Sequence, residues 1–146
     1  MPVRVDPSGR RFVQVEVQIQ RPIHRVWSAI ATAPGISSWL APTSFELGSD
    51  GTPRRITFDF GPGSIDAVTV TAWNPPHGFA VESSNFIPGG PPVNTKWNIL
   101  EASNQTCEVR VQHRMIADTN EWDAYLEGAE SGWPEFFENL RSHLSS

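Results

Sequence analysis

The feature that most constrains this sequence is a change in the spacing of its apolar residues near residue 119. Before that point, short runs of β-type residues alternate with turn clusters at 48–51, 61–63, 74–78, 88–92 and 103–106. Strands joined by short turns are typical of an antiparallel sheet in which neighbours in sequence pair with each other. In the last 28 residues, apolar side chains instead recur at three- and four-residue steps, which predicts a long amphipathic helix.

Seven strands are predicted before this helix. The first covers residues 11–20, where apolar and polar side chains alternate as in a half-buried strand; the apolar ones are Val13, Val15, Val17 and Ile19. The other six lie between the turn clusters, at 44–48, 54–60, 64–73, 79–86, 93–101 and 107–116.

Two short helices are predicted after the first strand. Pro22 suits the first turn of a helix, and apolar residues follow it at helical spacing, namely Ile23, Val26, Trp27 and Ile30. The pair Pro34-Gly35 is expected to end this helix, and residues 36–40 are expected to form the second one.

The terminal helix is predicted to begin at a capping box formed by Asp118 and Glu121. Its apolar stripe consists of Trp122, Leu126, Ala129, Trp133, Phe136, Phe137, Leu140 and Leu144. Pro134 lacks the N–H that a helical hydrogen bond needs, so a kink or short break is expected near Gly132.

Together these elements predict an α+β domain. An antiparallel sheet with one apolar face must bury that face, and the terminal helix has a matching apolar stripe. We therefore expect a curved, seven-stranded antiparallel sheet wrapped around the long C-terminal helix, with the two short helices closing one end. The domain is expected to span residues 11–146, after a loose polar leader over residues 1–10.

Charge and cysteine content argue against several partners. The net charge is −5 and no basic run is present, whereas binders of nucleic acids or anionic membranes carry clustered lysine and arginine. We therefore predict neither nucleic acid nor membrane as a partner. The single cysteine, Cys107, cannot form an intrachain disulfide, so a cytoplasmic location is expected. The chain is expected to be a monomer or a homodimer.

Several local motifs carry a resemblance to a known family. They are Pro22 with Val26-Trp27, Trp39-Leu40, Asn74-Pro75-Pro76, the strands at 95–99 and 109–113, and Gly132-Trp133 followed by Phe137 and Leu140. Their order and spacing resemble the START/Bet v 1-like (SRPBCC) superfamily, in the branch homologous to the C-terminal domain of the Hsp90 ATPase activator. The resemblance covers residues 11–145 and implies the helix-grip fold.

The sequence departs from that family at three places. Ser83 and Ser84 stand where the family often has a tryptophan, and Met115 stands where it often has a glycine. The loop at 88–92 is particular to this chain. Because these positions lie near the expected pocket, a relative's ligand is not transferred to this chain.

No motif of a metal or nucleotide site is present. The four histidines, His24, His77, His113 and His143, do not pair at ligand spacing, and no glycine-rich loop has the spacing that phosphates require. We predict no metal and no cofactor. Cys107 shares the apolar phase of its strand and is interpreted as a small core residue rather than a nucleophile.

His113 is the polar residue with the clearest functional interpretation. It shares the inward phase of Val109 and Val111, and an imidazole in an apolar sheet needs a partner or a cavity. It is either a core histidine with satisfied hydrogen bonds or a hydrogen-bonding contact for a ligand. Asp66 and Glu82 are considered as acid–base partners, although the pattern favours a solvent-facing position for both.

The six tryptophans suggest a ligand cavity. A sheet wrapped around one helix leaves a wide end that a small core does not fill, and apolar pockets with few polar groups are typical ligand sites. The predicted lining is Trp39, Phe58, Trp97, His113, Met115, Trp122 and Trp133.

Three functions are considered. The first is the binding of a small apolar or aromatic molecule between the sheet and the terminal helix. The second, by analogy with the Hsp90 activator, is partnership with a chaperone whose ATPase the protein stimulates. The third is a cyclase- or dehydratase-type enzyme, which needs a paired acid and base facing the cavity. The sequence favours the first.

Overall fold

The computed structural model describes residues 3–84, 89–115 and 119–145. These ranges contain three helices: α1 (Ile23–Ile30), α2 (Ala33–Ser37) and α3 (Asp123–Ser145). They also contain eight strands: β1 (Arg4–Val5), β2 (Arg11–Ile19), β3 (Thr43–Leu47), β4 (Pro53–Asp59), β5 (Ile65–Asn74), β6 (Gly78–Ser83), β7 (Val93–Ser103) and β8 (Thr106–Met115). None of these helices combines the length and the apolar character needed to cross a membrane.

The strands form one antiparallel sheet in the order β1-β2-β8-β7-β6-β5-β4-β3. Strands β3 to β8 pair with their sequence neighbours, and β2 closes onto β8, with Val15 opposite Val111. The predicted helix-grip fold is therefore confirmed. All seven predicted strands are present; residues 85, 86 and 116, at the ends of two of them, lie outside the described residues.

The eighth strand, β1, lies in the segment that was expected to be a loose leader. Arg4 pairs with Phe12 of β2, so residues 4–5 extend the edge of the sheet. The cause is turn chemistry: the Asp6 carboxylate accepts hydrogen bonds from the backbone N–H groups of Ser8 and Arg10. Gly9 supplies the positive φ of +86° that this turn requires. An ordered turn thus replaces the loose leader over these residues.

The two short helices differ from prediction in their boundary. Pro34 and Gly35 lie inside α2 instead of separating it from α1. Pro34 is tolerated because it occupies the first turn, where a backbone N–H has no helical partner. The Thr32 side chain caps the helix by accepting a hydrogen bond from the backbone N–H of Gly35 at 3.0 Å.

Helix α3 is continuous from Asp123 to Ser145, so of the kink or short break expected near Gly132, the break is wrong. Tertiary contacts hold the helix along β2 on both sides of Pro134. At its start, Arg11 of β2 makes two hydrogen bonds to the Asp123 carboxylate, at 2.7 and 2.6 Å. Near its end, the Arg141 guanidinium donates to the backbone oxygen of Gln18. The Asp118 half of the predicted capping box lies outside the described residues.

The inward face of the sheet follows the predicted alternation. On β8, Cys107, Val109 and Val111 are fully buried, which confirms that Cys107 is a core residue. Burial raises the pKa of the Cys107 thiol, and the negative charge of Glu101 raises it as well.

One glycine marks a close approach between strands that can be tested. A Cβ at Gly78 would lie 2.2 Å from the backbone oxygen of Trp97 on β7. We expect Gly78→Ala to lower the free energy of unfolding by roughly 1–3 kcal/mol, because the strands must move apart. Urea denaturation measures this change. Gly128→Ala is the matched control, since a Cβ there meets nothing within 4 Å; equal stability of the two variants would contradict the close approach.

Candidate functional site

Two apolar clusters lie between the sheet and α3. The larger, here the main cluster, contains Val111, Trp97, Trp133, Phe137 and further residues of β2, β4–β8 and α1. The smaller, here the upper cluster, consists of Val13, Val93, Met115 and Leu126. Along β8, His113 lies between the two clusters, and along β7 Thr95 does the same. The apolar core is thus interrupted at one level of the sheet.

A band of polar side chains occupies this level. Ser83, Thr95 and His113 lie on the adjacent strands β6, β7 and β8 and are 4 %, 8 % and 4 % exposed. Next to them, Asp66 of β5 accepts a hydrogen bond from the Ser83 hydroxyl at 3.0 Å. We call these four residues the polar band. Buried polar groups need hydrogen-bond partners, and the band supplies part of them internally.

His113 connects the band to the helix. The Trp133 indole Nε1–H donates to His113 Nε2 at 2.6 Å, and His113 Nδ1 lies 2.8 Å from Thr95 Oγ1. Each ring nitrogen therefore has a partner, one on α3 and one on β7. His113 thus connects α3 to the sheet by hydrogen bonds. Because both ring nitrogens have partners, neither is available as a general base in the cavity.

Burial also sets the protonation state of His113. Desolvation disfavours the charged imidazolium and lowers the pKa of His113 from 6.5 to about 4. The geometry agrees with a neutral ring. A protonated imidazole would carry an N–H at Nε2, and this N–H would face the N–H of the Trp133 indole, which is also a donor. His113 is neutral at physiological pH.

Beside the polar band lies a cavity of about 300 Å³ between the sheet and α3. Its walls are mainly apolar and aromatic, and the polar band forms one side. The described lining residues are Leu40, Phe58, Phe60, Asp66, Val68, Val81, Ser83, Thr95, Trp97, His113, Gly128, Ala129, Gly132, Trp133 and Phe136. A volume of this size accommodates a small molecule of one to three rings.

The cavity exists because α3 has small residues at this level. Between Leu126 and Trp133, the side of α3 that lines the cavity carries Gly128, Ala129 and Gly132. A Cβ added at either glycine would meet no atom within 4 Å, so no close approach of the chain explains these glycines. The space that larger side chains would fill is left open.

The structure places four of the seven predicted lining residues at the cavity: Phe58, Trp97, His113 and Trp133. The other three lie elsewhere. Trp39 is buried in the main cluster and donates its indole N–H to the Ala29 backbone oxygen at 2.8 Å. Met115 belongs to the upper cluster, and Trp122 packs against that cluster. These three side chains fill the core instead of lining the space.

The two carboxylates considered as catalytic partners are separated by the pleat of the sheet. Asp66 lines the cavity, which corrects its expected solvent-facing position. Glu82 lies between Val81 and Ser83, which both line the cavity, so strand alternation directs it to the opposite face. Among the described residues, no group of three or more histidine, cysteine, aspartate or glutamate side chains is placed to bind a metal ion.

Sequence reasoning did not identify Thr95, Gly128 or Gly132 as site residues, and it placed Ser83 only near the expected pocket. One signal was present for the helix: two glycines, Gly128 and Gly132, within a predicted amphipathic helix that they weaken. For Thr95, strand alternation with Trp97 indicates an inward hydroxyl, which needs a partner when buried.

A comparison with protein families places the chain in a known family. The family model described as "Activator of Hsp90 ATPase homolog 1-like protein" matches residues 20–145. No curated protein matches the sequence.

Solved structures share the fold at low sequence identity. A protein from Mesorhizobium loti is 24 % identical, with a TM-score of 0.74 over 92 % of this chain and 97 % of that one. A START superfamily protein from Mycobacterium smegmatis is 10 % identical, with a TM-score of 0.73 over 92 % and 97 % of the two chains. The Aha1 dimer from Colwellia psychrerythraea is 20 % identical, with a TM-score of 0.68 over 91 % and 95 %.

The lowered pKa of His113 predicts how stability depends on pH. The unfolded chain takes up a proton near pH 6.5, whereas the folded chain takes it up near pH 4. The contribution of His113 is therefore fully present above pH 6.5, falls as the pH is lowered, and is lost below pH 4. The expected loss is roughly 3 kcal/mol.

Urea denaturation of the wild type and of His113→Gln between pH 4 and 8 measures this effect, because glutamine does not titrate. We expect the difference between their free energies of unfolding to shrink or reverse as the pH falls. Parallel curves for the two proteins would show that His113 is not held in the neutral form.

Proposed function

The chain belongs to the family of Activator of Hsp90 ATPase homolog 1-like proteins, and from that premise we propose that it binds a small apolar or aromatic molecule between its sheet and α3. The observation that carries this proposal is the cavity of about 300 Å³ with aromatic walls. The rings of Trp97 and Trp133, with centroids 5.2 Å apart, form one corner of it.

Such a cavity binds by removing apolar surface from water. Each 100 Å² of ligand surface that becomes buried contributes about 2.5 kcal/mol. Aromatic walls add the edge and face contacts that flat ligands prefer. The cavity is also reachable from outside, since Phe60 of its lining is 49 % exposed.

The glycines of α3 support a ligand in this space. Glycine destabilises a helix interior by about 1 kcal/mol relative to alanine. Because Gly132 has no atom within 4 Å of a Cβ position, alanine would fit there without a clash. A ligand that occupies the open space beside Gly132 would explain why the helix has a glycine there despite the loss of stability.

Two substitutions at Gly132 separate stability from binding. We expect Gly132→Ala to raise the free energy of unfolding of the ligand-free protein by up to about 1 kcal/mol. We expect Gly132→Leu to fill the cavity and to weaken binding of the neutral probe N-phenyl-1-naphthylamine at least tenfold. Fluorescence titration of the probe measures the affinity.

Glu135→Leu is the matched control, because it adds the same side chain at an exposed position of the same helix. Saturable binding that Glu135→Leu retains and Gly132→Leu loses is the expected result. If the wild type does not bind the probe, or if Gly132→Leu binds it as well as the wild type, the proposal is wrong.

A second candidate function is supported by the family match. We propose as the alternative that the chain stimulates the ATPase of an Hsp90-type chaperone, in the way the family description names. Adding the purified protein to the chaperone of its own cell and measuring ATP hydrolysis tests this. An unchanged rate at saturating protein would exclude it. The cytoplasm, where such chaperones act, is the location we propose.

A further inference from the structure

The hydrogen bonds of the polar band have a fixed direction. The Trp133 indole nitrogen carries a hydrogen and has no acceptor capacity, so it must donate to His113 Nε2. The neutral ring has one N–H, and with Nε2 accepting, that hydrogen is on Nδ1. His113 Nδ1–H therefore donates to Thr95 Oγ1 at 2.8 Å.

This direction leaves the hydrogen of the Thr95 hydroxyl unused. The oxygen accepts from His113, and the O–H is free to donate elsewhere. Among the described residues, the hydroxyl has no other hydrogen bond than the one to His113. Thr95 is 8 % exposed and lines the cavity. Leaving a buried donor without an acceptor costs roughly 1–3 kcal/mol.

We infer that Thr95 recognises the ligand by donating its hydroxyl hydrogen to an oxygen acceptor of an otherwise apolar, ring-containing molecule, such as a ketone or a quinone-like carbonyl. This inference rests on the proposed binding function and specifies the class of ligand. His113 lines the cavity but does not hydrogen-bond to the ligand in this arrangement, because Thr95 and Trp133 occupy its two ring nitrogens. It acts as a positioning residue, because its tautomer, set by Trp133, turns the Thr95 hydrogen towards the cavity.

The charges of the lining favour a neutral acceptor over an anion. Among the described lining residues there is no lysine or arginine, and His113 is uncharged. Asp66 is the charged side chain of the lining, and it would repel a carboxylate or phosphate ligand. A neutral carbonyl oxygen accepts the hydrogen bond of Thr95 without this repulsion.

A matched pair of probes tests the inference. 1-Tetralone and tetralin share two fused rings and differ by one carbonyl group. Titration followed by the indole N–H signals of Trp97 and Trp133 in two-dimensional NMR gives both affinities. We expect the wild type to bind 1-tetralone roughly 3- to 10-fold more tightly than tetralin, as one hydrogen bond contributes.

Two variants at one position provide the controls. Thr95→Val keeps the shape and removes the hydroxyl, so the preference for 1-tetralone is expected to disappear. Thr95→Ser keeps the hydroxyl, so the preference is expected to remain. The preference is the ratio of the affinities for 1-tetralone and tetralin in the same variant. A substitution that weakens the binding of both probes equally does not change this ratio.

The outcomes separate this inference from the function on which it rests. If both probes bind the wild type equally, or if Thr95→Val keeps the preference, the inference is overturned while ligand binding stands. If neither probe binds, the proposed function fails and the inference fails with it. Should Thr95→Val not fold, the carbonyl ¹³C signal of 1-tetralone bound to the wild type decides: a downfield shift is expected, and no shift overturns the inference.

Discussion

One hydrogen bond between helix and sheet organises the centre of this protein: Trp133 Nε1–H to His113 Nε2, at 2.6 Å. Both groups are buried, and losing either partner would leave the other unsatisfied in an apolar surrounding. The bond fixes the rotation of α3 relative to β8. It also fixes the tautomer of His113 and, through it, the direction of the Thr95 hydroxyl.

The cavity exists because large side chains fill the core on both sides of this hydrogen bond but not at its level. Large side chains fill the main cluster below the polar band and the upper cluster above it. At the level of the band, the helix contributes Gly128 and Gly132, which have no side chain, and Ala129, which has only a methyl group. Since α3 is held by Trp133 and by Arg11 at its start, it does not move inwards to close the space. An apolar cavity beside polar groups is the result.

The helices and strands were easier to predict from the sequence than their boundaries and the contacts between them. Alternation identified β2 and β8 because each is half-buried over nine or ten residues. Pro134 predicts a kink or short break, but tertiary contacts override local propensity, and α3 continues through this residue. At the site, Asp66 was expected to face solvent, but it precedes the buried Val68 by two residues on β5 and therefore lies on the same side of the sheet. The link from Trp133 to Thr95 depends on helix rotation and strand register together, which no local pattern encodes.

The binding site requires an open apolar cavity between the sheet and α3, and crystallography under xenon pressure can detect such a cavity. Apolar cavities remain free of water and bind xenon. We expect xenon density between Trp97, Phe136 and Gly132, with the hydrogen bond from Trp133 to His113 unchanged. If no xenon binds and side chains have moved into the space, the cavity is not open.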